Sequence, residues 1–317
     1  MKARLWLIAA AAATATLAAV SASAVSASAA ASTGAGAAQA GAARAGATRA
    51  AAPARGARAL QIRGFRLATG VRLPSSRLPR LAPKMTVFST NWGGHAATTS
   101  PNSTLKQVSA AFNVPSVNCA TSPPGSSGYA YASHWVGLDG YNDDTTEQAG
   151  VAGYCTSTAG APAYVAWYEM FPLPAVPFTG INPGDAITAS VGYDRSAGLY
   201  NLTVTDVTTG GVVSASEPCP SGYTCRRASA EVITEDPGGG VAGGYNLANF
   251  GQENYTGATV VSANGTTGTL TSGFGKSGAQ LWSGHQIVLV DPSGTPLAVT
   301  GPLYGGQAYN IAWSRAS

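Results

Sequence analysis

The feature that most constrains this chain is the rhythm of residues 87–317. Apolar and β-branched residues come there in short runs rich in Val, Thr, Tyr and Ile, and Gly, Pro, Asn or Ser bounds each run. Residues 107–114, 130–138, 163–171, 186–193, 199–207, 228–235, 258–262 and 286–290 follow this form. Such runs read as strands between turns. Residues 200–206 alternate cleanly, with Leu202 and Val204 on one face. The stretch 206–211, Asp-Val-Thr-Thr-Gly-Gly, then turns into Val212-Val213, a hairpin pattern. No segment sustains a 3.6-residue apolar repeat with caps. Many short strands at even spacing predict an all-β, antiparallel sandwich or barrel. The stretch is long enough for one substantial core, and no internal repeat is visible.

The N-terminal part is different. Met1-Lys2-Ala3-Arg4 is a short basic start, residues 5–20 are an uncharged apolar run, and Ala22-Ser23-Ala24 and Ala27-Ser28-Ala29 offer small residues before a cut. That order predicts a secretory signal peptide over residues 1–29. An uncleaved membrane anchor is the competing reading, but the run is Ala-rich and no basic cluster stops it directly. No later stretch approaches the roughly 20 apolar residues that span a bilayer. A secreted, extracellular chain without membrane contact after cleavage is therefore expected. Residues 30–60 are Ala, Gly, Arg and Thr with almost no large apolar side chain. They cannot bury enough surface to offset chain entropy. Residues 61–84 add scattered Leu, Arg and Pro. Residues 30–86 thus read as a basic pro-segment, disordered or inhibitory, ahead of a folded domain at 87–317.

Charge sharpens this division. Residues 1–86 hold twelve Lys and Arg and no Asp or Glu, a net +12. Residues 87–317 hold six basic and all fourteen acidic residues, a net −8. The overall +4 therefore describes the whole chain and not the part that folds. A basic chain ordinarily suggests nucleic acid as partner. Here the obvious anionic partner of the leader is the chain's own acidic domain, and no nucleic acid is expected. The domain's low charge density also suits an acidic medium, because few ion pairs are lost when carboxylates protonate.

Four cysteines, Cys119, Cys155, Cys219 and Cys225, are an even number in an exported chain and favour disulfides. Three pairings are possible. Cys119–Cys155 with Cys219–Cys225 is preferred, because the second pair closes a short loop. No cysteine has a His or Cys at close ligand spacing, so no metal is expected. There is no Gly-x-Ser-x-Gly elbow, and His95, His134 and His285 lack metal-motif spacing. A Ser-His-Asp triad needs only proximity in space, but His134, in Ser133-His134-Trp135, reads as a strand residue. Asp143-Asp144 and Glu235-Asp236 lack the Asp-x-Asp-x-Asp-Gly pattern of a calcium loop. Acid chemistry by carboxylates remains.

Aromatic and acidic residues concentrate in three stretches, residues 135–140 followed by 147–151, residues 166–172 and residues 230–237. Five landmarks stand along the chain: Asn91-Trp92-Gly93-Gly94, Trp135-Val136-Gly137-Leu138-Asp139-Gly140, Glu147-Gln148-Ala149-Gly150, Trp167-Tyr168-Glu169, and Ala230-Glu231-Val232-Ile233-Thr234-Glu235-Asp236. Leu247-Ala248-Asn249-Phe250 is a weaker sixth. In this order and spacing the chain resembles the glutamic peptidase, or eqolisin, family over roughly residues 90–250. The resemblance implies a sandwich of two antiparallel sheets, similar to concanavalin-like jelly rolls. It implies a secreted, acid-active pro-enzyme without metal or other cofactor, acting on polypeptides, with Gln148 and Glu235 as the catalytic pair. One departure stands out. The family often carries Asp two residues before the Trp-Tyr-Glu tryptophan, where this chain has Val165.

The implied chemistry suits these residue types. A carboxylate accepts a proton from water only while ionised, so Glu235 acts as general base and then passes the proton to the leaving amine. Gln148 offers an amide N–H to the developing oxyanion and an amide oxygen to hold water. Such a donor is often worth about 3 kcal/mol. A neutral amide also keeps one protonation state in acid. Glu231 competes for the base role, since residues four apart on a strand share a face. Motif register favours Glu235. Glu169 reads as a neighbour that binds substrate or water, and Trp135, Asp139, Trp167 and Tyr168 are expected to line the cleft. A monomer is expected. The rival reading is a lectin-like carbohydrate-binding module with aromatic platforms, or a glycosidase using Glu169 and Glu235.

Overall fold

A computed structural model describes residues 86–100, 104–239 and 244–316. The expectations for the signal peptide and pro-segment therefore lie outside the described residues. In chain order the strands are β1 (Thr86–Ser89), β2 (Trp92–Thr98), β3 (Leu105–Asn113), β4 (Ala130–Leu138), β5 (Thr146–Cys155), β6 (Ala163–Phe171), β7 (Val176–Phe178), β8 (Ala186–Asp194) and β9 (Leu199–Asp206). They continue as β10 (Gly211–Glu217), β11 (Ser229–Glu235), β12 (Asn246–Leu247), β13 (Gln252–Ser262), β14 (Thr267–Gly268), β15 (Ser272–Phe274), β16 (Gln280–Val290), β17 (Pro296–Thr300) and β18 (Tyr309–Trp313). The expected all-β class is the observed one.

Two sheets form. The first runs β7-β6-β5-β4-β11-β2-β16, all antiparallel neighbours. Two parallel pairings decorate it, β1 with β16 and β12 with β4. The second runs β10-β9-β8-β3-β13-β14. β13 serves both: its first half pairs with β18, which leads through β17 to β16, and its second half pairs with β3. This shared strand closes one edge into a near-barrel.

The expected hairpin joins β9 to β10. The Asp206 carboxylate accepts the Thr208 and Thr209 N–H groups and the Thr209 hydroxyl, and Gly210 takes φ 75°. Asp at a turn start and Gly at a positive φ are what such a reversal requires. The main core lies between the sheets, with Val136, Val151 and Val232 from the first facing Val108, Ile187 and Leu202 from the second. A second apolar cluster covers the other face of the first sheet and contains Trp92, Trp135, Trp167, Ile233 and Ile287. Disulfides join Cys119 to Cys155 and Cys219 to Cys225.

Candidate active site

Strand alternation sorts the chemistry onto one face of the first sheet. On β11, Ala230 and Val232 enter the inter-sheet core, while Ile233 joins the opposite cluster and Glu231 and Glu235 share its parity. On β4, Val136 faces the core, which turns Ser133, Trp135 and Gly137 outward. On β5, Ala149 and Val151 face the core, leaving Gln148, Gly150 and Ala152 outward. On β6, Trp167 is outward and takes Glu169 with it.

Register arranges these residues in rows. Glu169, Gln148, Gly137 and Glu231 lie side by side across β6, β5, β4 and β11. The next row is Trp167, Gly150, Trp135 and Ile233. The third is Val165, Ala152, Ser133 and Glu235, extended by Trp92 on β2. Gln148 and Glu235 thus stand two rows apart, and the Trp135 indole bridges them. Its Nε1 donates to Glu235 Oε2 at 2.9 Å. Its six-membered ring lies over Gly137, where a Cβ would come within 2.9 Å of the ring and 3.2 Å of Gln148 Cβ. A Cβ at Gly150 would come within 2.5 Å of Trp135 Cβ. The two glycines therefore make room for a tryptophan lying along the sheet. Trp92 meets that indole edge-on, with centroids 5.0 Å apart. Gln148 Nε2 donates to Glu169 Oε2 at 2.6 Å, which fixes the amide, while its buried Oε1 meets no hydrogen-bond donor among the described residues.

A family model, the Peptidase A4 family, matches residues 90–291 of this chain, which spans every row of the site. The chain belongs to the Peptidase A4 family. Scytalidopepsin B of Scytalidium lignicola is 34% identical over 178 residues, covering 54% of this chain and 61% of that protein. Aspergillopepsin-2 of Aspergillus niger is 32% identical over 203 residues, covering 57% of this chain and 67% of that protein. Among solved structures, scytalido-glutamic peptidase with a transition state analog inhibitor aligns with TM-score 0.54 and 25% identity. It covers 71% of this chain and 98% of that one.

Within this Peptidase A4 chain a buried acidic cluster adjoins the Gln148 row. Asp139 follows β4 at φ 68°, and its carboxylate accepts the N–H groups of Arg227 at 2.6 Å and Ala228 at 2.8 Å. It thereby ties the end of β4 to the start of β11. Burial pushes Asp139 up, against the pull of those two N–H groups. Burial, then the Asp139 charge, holds Glu147 well above the usual carboxylate range. Glu231 is likewise held well above it, by burial and then by the charges of Asp139, Asp143 and Glu147. A carboxyl kept protonated cannot serve as a base in acid. That weighs against Glu231. Glu235 instead accepts the Trp135 indole N–H.

The structure brings Gln148, Glu235, Glu169, Trp135 and Trp167 to one face. It does not bring Tyr168 there. Alternation turns Tyr168 to the opposite face of β6, where it stacks with Phe178. Asp139 is buried at a strand end with its carboxylate held by backbone, so it pins the fold and does not line the face with the tryptophans. His134 and His95 point to the core side; burial lowers them to about 3 and about 4, so both stay neutral in all but strong acid. Val165, where an Asp was the family expectation, is buried in the outer apolar cluster. Sequence reasoning assigned no role to Trp92 or Ser133. Alternation from Trp135 could have found Ser133, two residues upstream. Among the described residues no three His, Cys, Asp or Glu side chains group as a metal ion would need.

Proposed function

We propose that this chain is a secreted acid endopeptidase that hydrolyses peptide bonds with Glu235 and Gln148. The observation that carries the proposal is the Trp135 indole, which donates to Glu235 at one end and lies beside Gln148 at the other. Glu235, ionised, takes a proton from water, and the hydroxide attacks the substrate carbonyl carbon. Gln148 has two N–H bonds; one is held by Glu169, and the other is available to the oxyanion. The Glu235 proton passes to the leaving nitrogen as the C–N bond breaks. The named relatives support a peptidase reading, since they are called pepsins and a glutamic peptidase.

The proposal extends to the leader. Residues 1–86, with net +12, precede a domain with net −8. Residues 30–86 act as a pro-segment that masks the domain until acid neutralises carboxylates and weakens the pairing. Adding a peptide of residues 30–86 to the mature enzyme at mild pH tests this; undiminished activity removes the idea.

The pair itself is tested by cleavage of denatured protein at about pH 2–4. Glu235→Gln and Gln148→Ala should each lose at least about a hundredfold in kcat. Activity retained in both variants defeats the assignment.

A further inference from the structure

Half of the domain's basic side chains meet at one end of the second sheet, where β3 begins and β8 turns into β9. Residues 87–317 carry six Lys and Arg. Three of them, Lys106, Arg195 and Arg227, line a cleft of about 450 Å³ with Tyr193. A bulge aims Lys106. On β13, Val261 pairs with Gln107 and the next residue, Ser262, pairs with Leu105, so Lys106 is the extra residue. A bulge takes a side chain out of strand alternation, and Lys106 is exposed while Leu105 is fully buried. Arg227 is fixed from several sides. It takes φ 50°, a conformation that residues with a side chain seldom adopt. Its N–H goes to Asp139, and its carbonyl accepts the Leu105 N–H at 3.1 Å. Its guanidinium lies over the Tyr193 ring, 3.9 Å from the centroid. A guanidinium held in this way has little freedom left to lose on binding. One carboxylate lines the cleft, Asp194, and its own turn engages it. Its Oδ1 accepts the Ser196 hydroxyl at 2.6 Å and the Ser196 N–H at 2.8 Å. Among the described residues no carboxylate stands within ion-pair distance of the three cations. The cleft is thus locally positive in a domain of net −8.

A second cleft of about 420 Å³ continues from the first and shares Lys106, Tyr193 and Asp194 with it. The rest of its lining is neutral and polar, and includes Gln107, Ser190 and Asn201. Register brings these together across β3, β8 and β9. Gln107 pairs with Gly192, Gly192 with Asn201, and Ser190 lies one outward step along β8. Their neighbours Val108, Val191 and Leu202 face the core, so this row faces away from it. Asn201 Oδ1 accepts the Ser216 hydroxyl, which leaves its amide N–H groups for a ligand.

We propose that the two clefts form one binding site for a saccharide bearing a phosphate or sulfate ester, with the ester at Lys106, Arg195 and Arg227 and the sugar hydroxyls at Gln107, Ser190 and Asn201. The site lies across the sandwich from Gln148 and Glu235 and does not depend on their assignment. The anion class follows from the acid medium proposed above. There a carboxylate ligand is largely neutralised, whereas phosphate and sulfate esters keep negative charge. The guanidinium fork suits such an oxyanion. The sugar follows from the row of neutral donors and acceptors beside the cations. A single-stranded nucleic acid would stack its bases on free aromatic faces. Tyr193, the ring that lines both clefts, is already covered by Arg227 and packs on Tyr200 at 4.9 Å.

The test titrates the full chain and its variants by calorimetry at about pH 3.5 and constant ionic strength. The probes are glucose 6-phosphate, glucose 6-sulfate, glucose and inorganic phosphate. The basic leader is common to every protein compared, so differences between them report the cleft. The wild type should bind one ester more tightly than glucose or inorganic phosphate, and the tighter ester names the anion. Lys106→Gln and Arg195→Gln, both at exposed positions, should each weaken that ester about tenfold. Arg227→Gln should weaken it at least as much. Asn201→Ala should weaken the ester and leave inorganic phosphate unchanged. No ester binding, or equal affinity in the wild type, Lys106→Gln and Arg195→Gln, overturns the site whether or not Arg227→Gln folds. Ester and inorganic phosphate bound alike, with Asn201→Ala silent, overturns the saccharide. A phosphopeptide or an oligonucleotide that binds more tightly than either ester overturns it as well.

Discussion

Glu253→Gln should make the fold less sensitive to neutral pH. Glu253 lies on β13, 2% exposed, away from the proposed site. Its Oε1 accepts the Asn254 N–H at 2.8 Å and the Asn113 N–H at 3.4 Å. Burial raises its pKa from 4.5 to about 8, and those two N–H groups only partly oppose the rise. Tyr255 and Tyr309, the titratable groups whose own shifts Glu253 contributes to, are held above their usual range and stay neutral below pH 8. The sign follows. Below pH 4.5 the carboxyl is protonated folded and unfolded, and it costs nothing. Between 4.5 and 8 the unfolded chain ionises while the folded one does not, so stability falls as pH rises. At about 1.4 kcal/mol per pH unit the loss reaches about 5 kcal/mol by pH 8, then levels off. A glutamine at 253 does not titrate, and its amide oxygen can accept the same N–H groups. Near pH 4 the variant should match the wild type within about 1 kcal/mol. At pH 8 it should be the more stable, melting about 10 °C higher. Melting followed by circular dichroism from about pH 3 to 9 measures both slopes. Parallel curves for the two proteins would falsify the burial argument for this carboxyl.

Trp135→Phe keeps an aromatic ring but removes the N–H on Glu235 Oε2. We expect kcat to fall about 10- to 100-fold with KM little changed, measured on a peptide at acid pH; a wild-type kcat would show the indole donor to be dispensable. The two disulfides should differ in weight. Cys119–Cys155 spans 36 residues and Cys219–Cys225 spans 6, so chain entropy assigns about 4 and about 2 kcal/mol to them. Urea unfolding of the two double Cys→Ala variants should rank them in that order, and the reverse ranking would contradict it.

Strand class was legible where β-branched and aromatic residues crowd together. The runs at 130–138 and 163–171 coincide with β4 and β6, and 228–235 differs from β11 by one residue. β5 was not legible as a run. Its Thr-Glu-Gln-Ala-Gly-Val-Ala-Gly-Tyr-Cys is poor in strand formers. It is a strand because β4 and β6 hold it on both sides, and its Gly150 is needed to seat Trp135. β2, Trp-Gly-Gly-His-Ala-Ala-Thr, escaped for a similar reason, lying between β11 and β16. Only the second half of β13 was visible, because its first half begins Gln252-Glu253-Asn254 and draws its order from β18.

The site shows where pattern alone stops. Strand parity was enough to put Trp167 with Glu169 and to exclude Tyr168 from their face, yet motif density drew all three together. Parity could not separate Glu231 from Glu235, which share a face by construction. What separates them is set by other strands. Glu231 is buried beside Asp139 and Asp143, from the loop between β4 and β5, and Glu147, from β5. Glu235 lies one row beyond Trp135 and takes its N–H. The sequence places the two carboxyls four residues apart, but only the folded sheet buries one, beside other carboxyls, so that it stays protonated, and gives the other a donor. Proton affinity at such a face is a property of neighbours in space. A single strand's motif can nominate the base, and the rows on either side of it decide which carboxyl is able to act as one.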